Sequence, residues 1–297
     1  MKSKVSYTRL MKSEALYGYI FIAPNLILYA IFFIFPALMT FVLSFTSFDL
    51  FSPPSFVGTA QYVRLFNDPL FHKALLNTLY FALARTTLTI VIAFWLALLL
   101  NRKLFGRALF RTMHFLPYVS LLSAVALVWT WLFATDGLIN TVLGKIGIKG
   151  PMWLTSKIWA MPAIIVMSTW KDLGYSILIF LAGFQTIPSE LYEAAMVDGA
   201  NWFQRVRNIT LPLSTPAIFF AVVTTLIGTL QDFDQFYFMT KGGPAYATTT
   251  LSYYIYEVGF KWFKMGYACA ASVILFLLVF LFTLIQWYAR RRWVFEG

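Results

Sequence analysis

The sequence predicts an all-α integral membrane protein with six transmembrane helices. Composition is the first reason: of 297 residues, 60% are hydrophobic, 19% aromatic and only 12% charged. A water-soluble chain carries about 25% charged residues. Span length is the second. The apolar stretches run for roughly 20–28 residues, enough to cross about 30 Å of hydrocarbon with some tilt. The third is where the cations fall. Of the Lys and Arg residues, 13 lie in segments placed inside, 8 in the opposite loops and 2 within spans. That bias puts both termini in the cytoplasm. It also explains a net charge of +11 without invoking nucleic acid. Such a chain is multi-pass and lipid-embedded.

Residues 1–17 are polar and basic and read as a cytoplasmic tail. The apolar stretch from about Gly18 to Phe45 is too long for a signal-peptide core and lacks a clear small-residue cleavage site, so it is an uncleaved first span. Pro24 and Pro36 are expected to bend it. Thr46 to Lys73, with Pro53, Pro54, Gly58 and Pro69, is an outer loop. Ala74 to Leu100 is span two, interrupted by Arg85. That arginine stands alone, and a helix-packing or gate contact suits it better than ligand binding. Asn101 to Arg107 is a basic inner turn. Leu109 to Ala134 is span three, with Pro117 inside it. Thr135 to Lys157 is an outer loop, and span four follows from about Ile158 to Gly183. Span five covers about Leu213 to Gln235, Lys241 to Pro244 marks an outer turn, and span six runs from about Met265 to Tyr288. Arg290 to Arg292 anchor its inner end. No internal repeat, linker or second soluble domain is visible.

Between spans four and five lies Glu190 to Pro212, too polar for hydrocarbon. Ser189 suits the N-cap of a short helix reaching about Asp198. Gly199 suits the left-handed position that ends it. Asn201 can cap a second short helix, with Gln204 placed to complete a capping box. Pro212 fits the first turn of the next span. The stretch reads as helix, tight turn, helix on the membrane face.

Glu193-Ala194-Ala195, then Gly199, then Ile209-Thr210-Leu211-Pro212 resembles the EAA loop of binding-protein-dependent ABC importer permeases, with both spacings met. The flanking residues resemble the carbohydrate branch of that family, the maltose and glycerol-phosphate type. The resemblance covers most of the chain from about Asn77. It implies a type I ABC importer permease fold in a bacterial inner membrane, with a first helix and extracytoplasmic loop over 18–72, a five-helix core over 73–288, a coupling loop over 189–212 and a tail over 289–297. It also implies partners: a second homologous permease in a heterodimer, two ATP-binding subunits that hold ATP and Mg, and an extracytoplasmic solute-binding protein. Glu190, Glu193, Ala194, Ala195, Asp198 and Gly199 would couple this chain to an ATPase.

Two polar stripes interrupt the later spans. Ser168, Lys171, Asp172 and Tyr175 share one helical face, as do Thr225, Gly228, Thr229 and Asp232. Asp172 lies 13 residues before Gln185, and Thr225 lies 12 residues after Leu213. Both therefore sit on the order of 18–20 Å from the inner face. Charge near a bilayer centre costs about 2.5–3.5 kcal/mol per residue, so these groups need water or partners. They either line a substrate path, as the resemblance implies, or join helices together.

No residues suggest catalysis. His72 and His114 have no metal-ligand spacing, Cys269 lies alone in an apolar run, and no G-x-x-x-x-G-K-[ST] phosphate loop occurs. The chain itself is expected to bind no cofactor. An ion- or proton-coupled secondary transporter using Lys171, Asp172 and Asp232 is the alternative. The sequence leaves open which sugar is carried and whether it is neutral or acidic.

Overall fold

The computed structural model describes residues 17–102 and 105–294. Lys2, Lys4, Arg9, Lys12 and Lys103 of the predicted inner segments lie outside the described residues, as do the side chains of Arg107 and Arg292. The described residues form two compact units, one within 17–65 and 258–273 and the other within 66–257 and 274–294.

In the first unit, helix α1 spans Tyr17–Leu43. It runs through Pro24 without a break. Ahead of Pro36 it widens into a π turn over Ala30–Ile34, where the Phe35 N–H reaches back to the Ala30 carbonyl. A proline ring clashes with the carbonyl four residues earlier, and the wider turn relieves that clash. Strands β1 (Thr46–Ser47) and β2 (Ser55–Phe56) pair antiparallel, with Thr46 opposite Phe56. The predicted outer loop is thus partly ordered as a ribbon, followed by helix α2 (Ala60–Phe66). Gly266 must be glycine here, because a Cβ would fall 2.1 Å from the Thr46 carbonyl oxygen.

The second unit is helical. Helix α3 spans Pro69–Leu100, and the Asp68 side chain caps it by accepting from the Leu70 N–H at 2.8 Å. Helices α4 (Arg107–Val119) and α5 (Leu122–Leu132) meet at a 101° bend. Predicted span three is therefore broken, not straight. Ser120 is extended, with φ −73° and ψ 147°. The break opens one turn after Pro117, which donates no hydrogen bond. Helix α6 (Leu138–Lys145) occupies part of the predicted outer loop.

Helix α7 spans Ala160–Gln185, followed by α8 (Ser189–Val197) and α9 (Trp202–Leu213). Helix α10 (Thr215–Gln231) leaves α9 at a 65° bend. Span five thus starts later than expected, and Pro216 rather than Pro212 sits in its first turn. It also ends earlier, since Asp232 has ψ 131° and lies beyond the helix. Helices α11 (Asp234–Met239), α12 (Leu251–Tyr256) and α13 (Met265–Trp293) complete the chain. Helices α1, α3, α7 and α13 can each cross a membrane alone, and counting each bent pair as one span gives six among the described residues.

Two apolar clusters hold the second unit together. One gathers Phe81, Ile164, Met167, Phe236 and Tyr253. The other gathers Phe94, Phe180, Phe184, Val206 and Ala221. Helices α3 and α7 each contribute to both, so they form the unit's central pair. Glycine lets the neighbours of α7 close in: a Cβ on Gly174 would lie 2.2 Å from the His114 carbonyl oxygen of α4, and one on Gly183 would lie 2.5 Å from the Ala217 Cβ of α10.

Candidate functional site

Two groups of residues carry the candidate chemistry: an elbow at the Gln185 end of α7, and a charged cluster partway along it.

The elbow is built by local capping. Pro188, with ψ 134°, turns the chain into α8, and Ser189 is the first helical residue. The expected Ser189 cap does not form, because the residue is already inside the helix. The other end matches its expectation. Gly199 takes φ +77°. Its N–H bonds the Met196 carbonyl at 3.1 Å, and the Ala200 N–H bonds the Ala195 carbonyl at 2.8 Å. These are the two bonds of a Schellman closure, available cheaply only to glycine. Asn201 then opens α9. Its Oδ1 accepts from the Gln204 N–H at 2.9 Å, while Gln204 Oε1 accepts from the Asn201 N–H at 2.7 Å. The capping box read from the sequence is complete.

Tertiary contacts then fix the elbow. The Tyr192 hydroxyl lies 3.0 Å from Thr210 Oγ1, tying α8 to α9. Trp202 packs on Trp95 of α3 at 6.3 Å, and the Arg102 guanidinium lies 5.1 Å over its ring. Opposite these anchors, Glu190, Glu193, Ala194, Asp198 and Gly199 are exposed and Ala195 is half-buried. Leu191, Met196 and Val197 are exposed too, Val197 at 88%. A rigid helix thus projects small, acidic and apolar side chains with nothing of this unit over them.

The charged cluster centres on Arg85, the residue that the sequence left isolated. Its side chain on α3 is 6% exposed. Nη2 donates to Asp172 Oδ2 on α7, and Nη1 donates to Asp232 Oδ2 just past α10. One carboxylate from each predicted stripe is therefore joined through a guanidinium whose two ends each hold one of them. A planar fork suits that task better than a lysine. Phe81 lies 5.6 Å beneath the guanidinium.

Lys171 points elsewhere. It donates to the Tyr118 carbonyl at 3.0 Å. That oxygen sits at the α4–α5 break, where no following helical turn can take it. Tyr175 stacks on the Tyr118 ring at 5.0 Å, with 14° between planes. Tyr118 thus joins the site, although nothing in the sequence marks it beyond its place next to Pro117. Among the remaining stripe residues, Ser168 is buried at 3% exposure. Thr229 is buried and donates to its own helix at the Thr225 carbonyl, 2.7 Å away. Gly228 is exposed, and a Cβ there would meet nothing within 4 Å. Thr225, Asp172 and Asp232 are half-buried beside exposed Gly228, while Ser168 and Thr229 pack. Among the described residues, no group of three His, Cys, Asp or Glu side chains could hold a metal ion.

Comparison with known proteins follows the same lines. Residues 89–294 match the family of binding-protein-dependent transport system inner membrane components. A lactose transport system permease protein of Rhizobium radiobacter is 41% identical over 92% of this chain and 94% of its own. A sulfoquinovosyl glycerol transport system permease protein of Agrobacterium fabrum is 36% identical over 89% of this chain and 87% of its own. Among solved structures, a bacterial alginate ABC transporter, in complex with an alginate pentasaccharide-bound periplasmic protein, has a chain that superposes with a TM-score of 0.83 at 26% identity. The match covers 98% of this chain and 99% of that one.

Proposed function

The chain belongs to the family of binding-protein-dependent transport system inner membrane components, and from that premise we propose that it carries saccharide across the membrane as one permease subunit of an ABC importer. It has the type I ABC importer permease fold and is a multi-pass inner-membrane protein. The observation that carries the saccharide reading is the set of relatives with sugar-transport names, which align over nearly the whole chain. The same relatives weigh against an ion- or proton-coupled secondary transporter.

The elbow is the contact with an ATP-hydrolysing subunit on the cytoplasmic side, which also places both termini in the cytoplasm. Exposed Leu191, Met196 and Val197 supply apolar surface for a groove, Ala194 and Ala195 allow close approach, and Glu193 accepts charge-assisted hydrogen bonds. ATP and Mg stay in that partner. A second permease, a second ATPase subunit and an extracytoplasmic binding protein complete the assembly. The Schellman closure and capping box make the elbow stiff, so a push on it reaches α7 and α10 with little lost in bending.

The Arg85 cluster is the substrate path at rest. It clamps α3, α7 and the end of α10 together. Opening the path separates Asp172 from Asp232, and the released carboxylates accept sugar hydroxyls. Both cations already have partners in the resting arrangement, Arg85 on two carboxylates and Lys171 on a carbonyl. That arrangement supports a neutral saccharide over an acidic one. The test is reconstitution with the cognate ATPase and binding protein in proteoliposomes. Uptake of radiolabelled lactose or another neutral disaccharide is expected to require ATP and to fall with Asp172→Ala or Asp232→Ala while the ATPase stays bound. Uptake driven by an ion gradient without ATP would overturn the reading.

A further inference from the structure

A cavity of mixed lining, more apolar than polar, lies beside the loop that leads into α7. It holds about 580 Å³, and Thr130, Asp136, Trp153, Thr155, Thr240 and Pro244 are among its lining residues. Small-ligand sites fall at roughly 300–1,000 Å³. It is separate from the Arg85 cluster, since none of Arg85, Lys171, Asp172 and Asp232 lines it.

The walls are built to hold shape. Trp153 is fixed on one side by its Nε1–H, which donates to Asn140 Oδ1 at 2.8 Å. Asn140 in turn donates to the Thr135 carbonyl at 3.1 Å and the Pro151 carbonyl at 3.3 Å, so one side chain of α6 ties two loop segments. Gly150 makes room for it, since a Cβ there would fall 2.0 Å from Asn140 Oδ1. Phe133 and Trp159, each with its ring centre 5.4 Å from that of Trp153, set its plane. The facing wall is cross-linked by hydroxyls. Thr240 Oγ1 lies 2.7 Å from Thr248 Oγ1, which donates to the Gly243 carbonyl at 2.8 Å. Asp136 and Thr155 are exposed at the opening.

The chemistry of this lining is specific. An indole face covers the C–H face of a pyranose ring, a carboxylate accepts two hydroxyl donors, and threonine hydroxyls both give and accept. Walls already ordered lose little freedom when a ligand enters. We propose that this cavity is a saccharide subsite, holding one sugar ring against Trp153 and Asp136 before the sugar reaches the Arg85 cluster. The proposal rests on the saccharide-importer reading above.

The test uses the full chain in lipid nanodiscs, labelled with 5-fluorotryptophan. The Trp153 resonance is assigned by its loss in Trp153→Phe. Lactose, sulfoquinovosyl glycerol and an alginate pentasaccharide are titrated separately. At least one is expected to move the Trp153 resonance saturably, and Asp136→Ala is expected to raise the half-saturating concentration about tenfold, as the loss of a charge-assisted hydrogen bond does. A Trp153 resonance that none of the three moves overturns the subsite, as does a shift that Asp136→Ala leaves unchanged. If other tryptophans respond while Trp153 does not, the subsite falls and the saccharide reading stands. If none of the 10 tryptophans responds, both are undercut.

Discussion

Arg85 shows how much a single side chain can decide and how little the sequence says about it. Its partners lie 87 and 147 residues away, and no local pattern reports contacts at that distance. What the sequence did show was a charge where hydrocarbon should be, and the need for a partner followed. Removing one member of a buried ionic group costs about 3–5 kcal/mol, because the other charges are left stranded. Arg85→Ala is therefore expected to lower the thermal unfolding midpoint in detergent and to abolish uptake. Adding Asp172→Asn and Asp232→Asn to Arg85→Met removes the stranded charges. That triple variant is expected to recover most of the midpoint, measured by tryptophan fluorescence, but not uptake. Recovery of uptake as well would make the cluster a packing device only. Asp172 and Asp232 were legible only as members of two polar stripes; the depth match read from the sequence paired Asp172 with Thr225, and Asp232 lies a further seven residues along.

Among the elements, the elbow was the most legible, since caps are made by neighbours in sequence. Gly199, Asn201 and Gln204 took the roles their chemistry allows. Ser189 did not, because Pro188 already supplied the turn into α8 and the serine fell one position inside. The break between α4 and α5 was half visible. Pro117 marked the place, but the bend is also held by a lysine from another helix, which no local pattern reports. Gly199→Ala keeps the sequence helical in character but forces an alanine into φ +77°, at about 1–2 kcal/mol. Sugar-stimulated ATPase activity of the assembled complex is expected to drop severalfold with membrane insertion unchanged. Helix contact gives a sharper contrast. Gly174→Ala puts a Cβ 2.2 Å from a backbone oxygen of α4, whereas Gly228→Ala meets nothing within 4 Å. The first is expected to destabilise by about 1–3 kcal/mol, as overpacking does, and the second to leave unfolding unchanged; a denaturant titration in mild detergent reads both.

At the scale of the whole molecule, the six predicted spans survive only if two of them are allowed to bend, one by 101° and one by 65°. The bends fall between α4 and α5 and between α9 and α10. Force is expected to enter at one end of α7 and sugar at the other. Glu193→Lys should therefore stop uptake while the protein still inserts and still binds sugar, checked by membrane fractionation and nanodisc binding; normal uptake at normal expression would break that link. The ionic group midway along the same helix bears on energetics as well. Arg85 and Lys171 bring two formal positive charges, and Asp172 and Asp232 bring two negative ones. Moving one elementary charge through 100 mV is worth about 2.3 kcal/mol, but a set that sums to zero can exchange partners almost without feeling the transmembrane voltage. Turnover in vesicles clamped with valinomycin and potassium should accordingly be the same at either polarity.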